Sequence, residues 1–347
     1  MNQDRSNQLS YTPQGKNKDA IHMYSNKAPY PAYYKKFFSE ENFIKRKFFS
    51  LLIKKNLLNK DNIYRRNRLF FKKYLPDSSS NIRILDIGCG TGENTVNLAL
   101  TYPNAEVIGV DASLGSLNLA NKLKNFLNIN NLKFIEHNNQ TGFKNFGKFD
   151  LILCAGVLHH LDHPKETLKN ISKLMIQNKT ILSLQIYSSY GKDLEKHTRQ
   201  VVRELFPDDN KMEERLNFIK KIGLLKIYQA PGFFYRRKKD IIYDITVRIC
   251  KAIKTLFLSE YVRVTKDTTI FDAFVNPVCN FYNTEDIDEL LQDTNLELLD
   301  FNFRPWYQKK SENIIDSYLK DKEKIEILKI KAKFIYPQDY VLILKSL

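Results

Sequence analysis

The sequence predicts an α/β fold built on a doubly wound, mostly parallel β-sheet with helices on both faces. Short apolar runs alternate with helical segments between Ile82 and Tyr187, which is the pattern of parallel strands joined by helices. A glycine-rich turn separates the first of these strands from its helix, at Gly88, Gly90 and Gly92. Of the 347 residues, 43% are hydrophobic and 27% are charged, so the chain can bury a large core.

Seven strands are predicted from the apolar runs. They are Ile82–Asp86, Val107–Asp111, Leu132–Glu136, Phe149–Cys154, Thr180–Tyr187, Leu296–Phe301 and Tyr340–Lys345. Four helices are predicted between them, over Glu93–Ala99, Ser113–Asn128, Pro164–Ile176 and Thr284–Gln292. The third begins with a proline, which is tolerated in the first turn of a helix.

Composition and periodicity divide the chain into five segments. Residues 1–36 are polar, residues 37–78 have helical spacing and form an N-terminal cap, and residues 79–190 hold the strand–helix alternation. Residues 191–282 interrupt that alternation, and residues 283–347 supply the last helix and the final strands. Within the interruption, helices are predicted over Leu194–Leu205, Met212–Tyr228 and Asp240–Phe257.

Several classes of protein are excluded by composition. No apolar run reaches the roughly 20 residues that a membrane-spanning helix needs, and Met1–Asp19 lacks the apolar segment of a signal peptide. The four cysteines are far apart and have no metal-ligand spacing. We therefore expect reduced thiols, no metal, no membrane span and a cytoplasmic location.

The net charge of +16 has two explanations. One is an anionic partner such as nucleic acid. The other is an AT-rich coding bias, because lysine and asparagine are abundant while arginine, which phosphate recognition favours, is sparse. The coding bias is favoured, and nucleic acid stays an open alternative.

The turn Asp86–Gly92 is the strongest functional signal. Glycines two residues apart let a ligand approach the backbone, and amides at the following helix N-terminus face that ligand. In a dinucleotide-binding fingerprint the third glycine would fall at Glu93, where a carboxylate would repel a pyrophosphate, so nicotinamide and flavin cofactors are disfavoured. Asp111, at the end of the second strand, can accept both hydroxyls of a ribose, or can instead cap the next helix. The pattern fits a nucleoside that lacks a pyrophosphate and carries positive charge, such as S-adenosylmethionine (SAM).

Three stretches, Ile84–Gly92, Val110–Asp111 and Phe149–Leu161, resemble class I SAM-dependent methyltransferases over residues 80–190. The resemblance implies a seven-stranded sheet ending in an antiparallel hairpin, SAM as cofactor and S-adenosylhomocysteine (SAH) as product. It implies cofactor contacts at Asp86, Gly88, Cys89, Gly90, Gly92, Asp111, Ala112, Asn138, Asn139 and Ala155. Asn138 stands where the family usually has an aspartate beside the adenine amino group, and its carbonyl can still accept a hydrogen bond. Asp272–Pro277 is similar to the C-terminal part of a bacterial subgroup that has no single agreed substrate.

The segment after the fourth strand faces the transferred methyl group in this family. Cys154–Val157 has neither the Asn/Asp-Pro-Pro-aromatic motif of adenine or glutamine nitrogen methylation nor the Pro-Cys pair of pyrimidine C5 methylation. Both classes are therefore disfavoured, and Cys154 is expected to be a buried thiol. His159 and His160 are candidate general bases, although packing at the start of a helix is the favoured alternative for each. His159 is preferred of the two because it lies closer to the strand end.

The resemblance implies an acceptor pocket built from the N-terminal part of the chain and the interruption after the fifth strand. Its candidate residues are Tyr30, Tyr33, Phe233, Phe234 and Tyr235. The last three precede a basic run, so they could stack a base beside phosphate or close as a lid over an apolar small molecule. The lid is favoured because apolar residues flank the run. We expect a methyltransferase acting on an O, N or C atom of a small molecule. A tRNA or rRNA methyltransferase and a non-catalytic SAM-binding protein are the alternatives.

Overall fold

The computed structural model describes residues 81–208, 210–223, 269–304, 322–335 and 339–347. It also describes the single residues 21, 23, 47, 48, 50, 51, 53, 54, 74, 267 and 337. The predicted pocket residues Tyr30, Tyr33, Phe233, Phe234 and Tyr235, and the predicted helix Asp240–Phe257, lie outside the described residues.

One seven-stranded sheet organises the described part of the chain. Its strands are β1 (Arg83–Ile87), β2 (Glu106–Asp111), β3 (Leu132–Glu136), β4 (Leu151–Ala155), β5 (Ile181–Tyr187), β6 (Leu296–Arg304) and β7 (Asp339–Ser346). Their order is β3-β2-β1-β4-β5-β7-β6. The pairs among β1 to β5 are parallel, whereas β7 runs antiparallel to both β5 and β6. The predicted seven-stranded, mostly parallel sheet is confirmed, and β7 makes it mixed.

The described helices connect and cover these strands. They are α1 (Glu93–Thr101), α2 (Leu114–Leu127), α3 (Pro164–Ser172), α4 (Asp193–Leu205), α5 (Met212–Ile222), α6 (Thr284–Leu291) and α7 (Lys324–Ile335). A π-helical turn, Phe271–Val275, lies between α5 and α6 in the chain. No helix in the described ranges has both the length and the apolar character needed to cross a membrane.

The alternation of side chains along the strands creates two buried layers, one on each face of the sheet. In β1, Leu85 and Ile87 belong to the core cluster that contains residues of α3, α6 and α7, whereas Ile84 belongs to the cluster that contains residues of α1 and α2. Both faces of β1 are therefore covered, as a doubly wound sheet requires. A third apolar cluster joins α4 and α5 to the π-helical turn.

Two predicted helix ends are wrong. Helix α3 ends at Ser172 instead of Ile176, because the Ile176 amide donates to the Thr180 hydroxyl at 2.6 Å as the chain turns into β5. Helix α5 ends at Ile222 instead of Tyr228, because Gly223 adopts a left-handed φ of 69° that ends the helix. Helix α7 and the π-helical turn fall where the sequence predicts no element.

Candidate functional site

A cavity opens at the carboxyl ends of the parallel strands, where ligands bind in open α/β sheets. Six predicted cofactor residues line it: Gly88, Gly90, Asp111, Ala112, Asn138 and Asn139. The other four predicted cofactor residues, Asp86, Cys89, Gly92 and Ala155, lie outside its lining. After β4, the lining is formed by Gly156 and Val157 instead of Ala155.

The glycine turn after β1 can be built only with glycine at two positions. Gly88 has a φ of 67°, and a Cβ there would lie 2.2 Å from Cγ2 of Val157. Gly92 has a φ of 81°, and a Cβ there would lie 2.6 Å from Cζ of Phe134. Both the backbone conformation and the space therefore require glycine. The turn packs closely against the loop after β4, so the two loops shape one cavity wall.

Asp111, at the end of β2, holds the glycine turn in place. Its Oδ2 accepts a hydrogen bond from the Gly90 amide at 2.9 Å, and its Oδ1 accepts one from the Ser113 amide at 2.8 Å. Helix α2 is capped by Ser113, whose hydroxyl accepts from the Ser116 amide at 3.1 Å. Asp111 is therefore not the residue that caps helix α2. A carboxylate offers about four acceptor positions, so Asp111 retains capacity to accept from a ligand in the cavity.

Asp86 lies beneath the cavity, with 2% of its surface exposed. Its Oδ2 accepts a hydrogen bond from the Thr95 hydroxyl at 2.7 Å. Burial raises the pKa of Asp86 to about 7, the negative charge of Asp111 adds to that rise, and the Thr95 hydrogen bond opposes it. A cation bound in the cavity would stabilise the charged form of this buried carboxyl.

The two asparagines after β3 differ in their hydrogen bonding. Oδ1 of Asn138 accepts from the Gln140 amide at 3.1 Å and so caps a short 3-10 turn. Oδ1 of Asn139 is buried and has no hydrogen-bond partner among the described residues. A buried acceptor without a donor is costly, so Asn139 fits a ligand that brings a donor to this end of the cavity.

Glu93, where the sequence predicts repulsion of a pyrophosphate, is buried at the start of α1. Burial raises its pKa well above the usual value. Burial thus disfavours the charged form of this carboxyl. Cys154 is fully buried in β4, as predicted, and burial raises the pKa of its thiol to about 12.

His160 lines the cavity together with Asp272, a residue to which the sequence analysis assigned no role in the site. Nε2 of His160 lies 3.2 Å from Oδ1 of Asp272, and its Nδ1 lies 2.8 Å from the carbonyl oxygen of Val278. The Tyr187 hydroxyl donates to the second oxygen of Asp272 at 2.7 Å. Both ring nitrogens of His160 thus face acceptors, which is the arrangement of an imidazolium.

The ionisation of this pair follows from its contacts. Burial opposes the charge of His160, but the charge and close contact of Asp272 raise the pKa of His160 to about 10. Burial alone would raise the pKa of Asp272, whereas the charge of His160 and the contacts with His160 and Tyr187 hold it below its usual range. The site therefore contains a cation and an anion in contact, and His160 is protonated at neutral pH.

His159 does not line the cavity. It is fully buried, and its ring stacks on Tyr187 with 3.7 Å between centroids. Neither ring nitrogen has a hydrogen-bond partner among the described residues, and burial, followed by the charge of His160, lowers its pKa well below the usual value. Of the two candidate histidines, His160 is the one that lines the cavity, although the sequence prefers His159.

Among the described residues, no three His, Cys, Asp or Glu side chains are grouped so that they could hold a metal ion. Asp272 and Asn276 also line the cavity. They lie near the C-terminal end of the interruption, residues 191–282, in the stretch that resembles a bacterial subgroup. Asp272 lies in the π-helical turn, and such turns are often found at functional sites. The i→i+5 hydrogen bonds of a π-helix have no sequence signature, so the sequence does not predict this turn.

Comparison with known proteins finds a methyltransferase domain in this chain. Residues 78–245 match the family model described as a methyltransferase domain. An uncharacterised protein of Rickettsia prowazekii is 38% identical over 99 residues, which cover 28% of this chain and 17% of the relative. Trans-aconitate 2-methyltransferase of Deinococcus radiodurans is 37% identical over 84 residues, which cover 24% of this chain and 30% of the relative.

The solved structure of PKMT2 from Rickettsia typhi has the same fold, with a TM-score of 0.52 at 18% sequence identity. The alignment covers 80% of this chain and 51% of that one. The chain spans 17%, 50% and 33% of the length of the first three curated relatives that it matches. The glycine turn and Asp111 lie within the matched residues 78–245. The strand order fits a methyltransferase domain. Residues 78–245 thus form a methyltransferase domain, and the fold is consistent with a class I SAM-dependent methyltransferase.

Proposed function

We propose that this protein transfers a methyl group from SAM to a small-molecule acceptor. SAM supplies a methyl group activated by the positive charge of its sulfonium. The observation that carries the proposal is the placement of Asp111, whose carboxylate is fixed by two backbone amides and faces the cavity. In that position it accepts from the two ribose hydroxyls of a nucleoside.

The remaining lining residues fit the other parts of SAM. Gly88 and Gly90 present backbone without a side chain to the methionine portion. The unpartnered Oδ1 of Asn139 suits the adenine amino group, with Asn138 beside it. The buried carboxyl of Asp86 favours a ligand that carries positive charge over one that carries phosphates.

The cofactor assignment is tested by calorimetry with SAM. Asp111→Asn keeps the shape of the side chain and removes its charge, and we expect SAM affinity to fall roughly 10- to 100-fold, as for loss of hydrogen bonds to a charged group. Glu297→Gln is the matched control, because Glu297 is exposed on β6 and does not line the cavity. Unchanged SAM affinity in Asp111→Asn, with the variant folded, would refute the cofactor assignment.

A small-molecule acceptor is supported by the relative from Deinococcus radiodurans, which by its name methylates trans-aconitate. The proposal is tested by incubating the protein with methyl-labelled SAM and an extract of cells that lack its gene, then counting RNA, protein and small molecules separately. Label in the small-molecule fraction is the expected result. Label in nuclease-sensitive material would instead make the +16 charge functional and identify RNA as the acceptor.

A further inference from the structure

The two ends of the cavity are distinguished by the order of the strands. Asn139 follows β3 and Asp111 follows β2, so the nucleoside end lies at one side of the sheet. His160 follows β4 and Tyr187 ends β5, and Asp272 contacts both residues. Asp272 therefore stands at the opposite end of the cavity, beyond the glycine turn, where a methyl group would leave SAM.

Asp272 is held rigidly at this end. The Tyr187 hydroxyl contacts one of its oxygens and His160 contacts the other, at 2.7 Å and 3.2 Å. Two arginines anchor the π-helical turn that carries Asp272 and the residues that follow it. The buried Arg199 donates to the carbonyl oxygens of Ala273 and Asn276, and Arg203 donates to that of Pro277. The carboxylate thus has a fixed position, while 16% of its side chain stays exposed.

We infer that Asp272 binds the methyl acceptor, and that the acceptor atom is an amine nitrogen. The inference rests on the proposed methyltransferase function and adds the class of its substrate. An ionised carboxylate can only accept hydrogen bonds, so the group that it orients must carry a donor. A carboxylate acceptor carries no donor when ionised, so Asp272 could not bind it by a hydrogen bond.

Hydroxyl acceptors are disfavoured because the described part of the cavity lining supplies no unengaged base. The titratable side chains among the described lining residues are Asp111, His160 and Asp272. Asp111 is bound to two amides, and both nitrogens of His160 face acceptors. An alcohol must lose its proton to become a good nucleophile, whereas a neutral amine already has a lone pair. The described site therefore suits an alkyl amine, which differs from the adenine and glutamine nitrogens whose motif this sequence lacks.

The amine reacts in its neutral form, so its ammonium form first loses a proton to water. In the transfer step, Asp272 accepts a hydrogen bond from the amine N–H, which directs the nitrogen lone pair at the methyl carbon. The lone pair forms the new C–N bond, and the electron pair of the broken C–S bond stays on sulfur, which becomes the neutral thioether of SAH. The methylated nitrogen is then positively charged, and its surplus proton passes to water. Asp272 contributes orientation, which accelerates transfer because the reacting atoms are held in line.

The experiment identifies the bond that holds the transferred methyl group. The full-length protein is incubated with isotope-labelled SAM and extract of cells lacking the gene, and the labelled product is treated with alkali. Methyl esters release volatile methanol under alkali, whereas N-methyl groups do not, and the carbon chemical shift of the label separates N-methyl from O-methyl and C-methyl products. We expect alkali-stable N-methyl label. A methyl ester, an ether or a C-methyl product overturns the inference but leaves the methyltransferase function intact.

Two variants test the role of Asp272 with the same labelled fraction. Asp272→Asn should lower kcat/KM roughly 100-fold, as misplacement of a reacting group does, while the SAM dissociation constant measured by calorimetry stays close to wild type. Tyr187→Phe removes only the hydroxyl that holds Asp272 and should lower kcat by roughly 2- to 10-fold. Tyr187→Phe therefore still tests the role of Asp272 if the Asp272→Asn protein fails to fold. Wild-type kcat/KM in a folded Asp272→Asn protein overturns the inference, and label in no fraction refutes the proposed function itself.

Discussion

Replacing Gly88 with alanine tests whether the cavity wall is as closely packed as the structure shows. Gly88 has a φ of 67°, and the new Cβ would lie 2.2 Å from Cγ2 of Val157. A left-handed conformation in a non-glycine residue costs about 1–3 kcal/mol. Overpacking adds about 1–3 kcal/mol, because valine has a stiff χ1 and cannot easily move aside. We therefore expect Gly88→Ala to lose about 2–6 kcal/mol of unfolding free energy.

Gly156→Ala is the matched control for this substitution. Gly156 also lines the cavity and has a φ of 78°, but a Cβ there would meet nothing within 4 Å. It should therefore lose only the conformational cost of about 1–3 kcal/mol. The change in unfolded-state entropy is the same for both variants and cancels in their difference. Urea unfolding followed by circular dichroism measures both losses, and equal losses would refute the predicted contact with Val157.

Three further predictions follow from buried hydrogen bonds and charge. The pKa of Asp86 is about 7, and its charged form favours a cation. The ratio of SAM affinity to SAH affinity should therefore fall as the pH decreases through about 7. A ratio that does not vary with pH would contradict the role of Asp86. Thr95→Val removes the hydroxyl that donates to Asp86 and should move the midpoint of that titration to higher pH in the same calorimetry. Asn131→Ala removes the Nδ2 contacts with the carbonyl oxygens of Ala99, Tyr102 and Ala105 and should cost about 1–3 kcal/mol in thermal or urea unfolding.

Most strands could be predicted because each is a short apolar run bounded by turn-forming residues. Leu132–Glu136, for example, is predicted and observed with the same bounds. Helix α7 escapes this reasoning, since Ile325, Ile327 and the lysines around them nearly alternate, as in a strand, whereas Leu328 and Ala332 are buried one helical turn apart. Packing against the core decides its structure, and periodicity alone does not reveal that.

The cofactor side of the site is predictable for a similar reason, because the glycine turn and Asp111 are local features at strand ends. The acceptor side is not. His160 and Asp272 are far apart in the chain, and they are in contact in the fold, where the π-helical turn packs on α4 and α5. The preference for His159 over His160 fails to anticipate this contact, since distance from the strand end does not show which ring faces the cavity. Pairing between remote segments is set by tertiary packing.

The position of β7 has a consequence for synthesis on the ribosome. This strand lies between β5 and β6, and its residues Val341 to Leu344 are fully buried. Ile181 pairs with Lys345, so β5 cannot complete its pairing until β7 has been synthesised, much later in translation. Until then the nascent chain exposes an open edge of β5, and long-range pairing of this kind folds slowly. Chaperone binding to the emerging chain should therefore persist until β7 has left the ribosome.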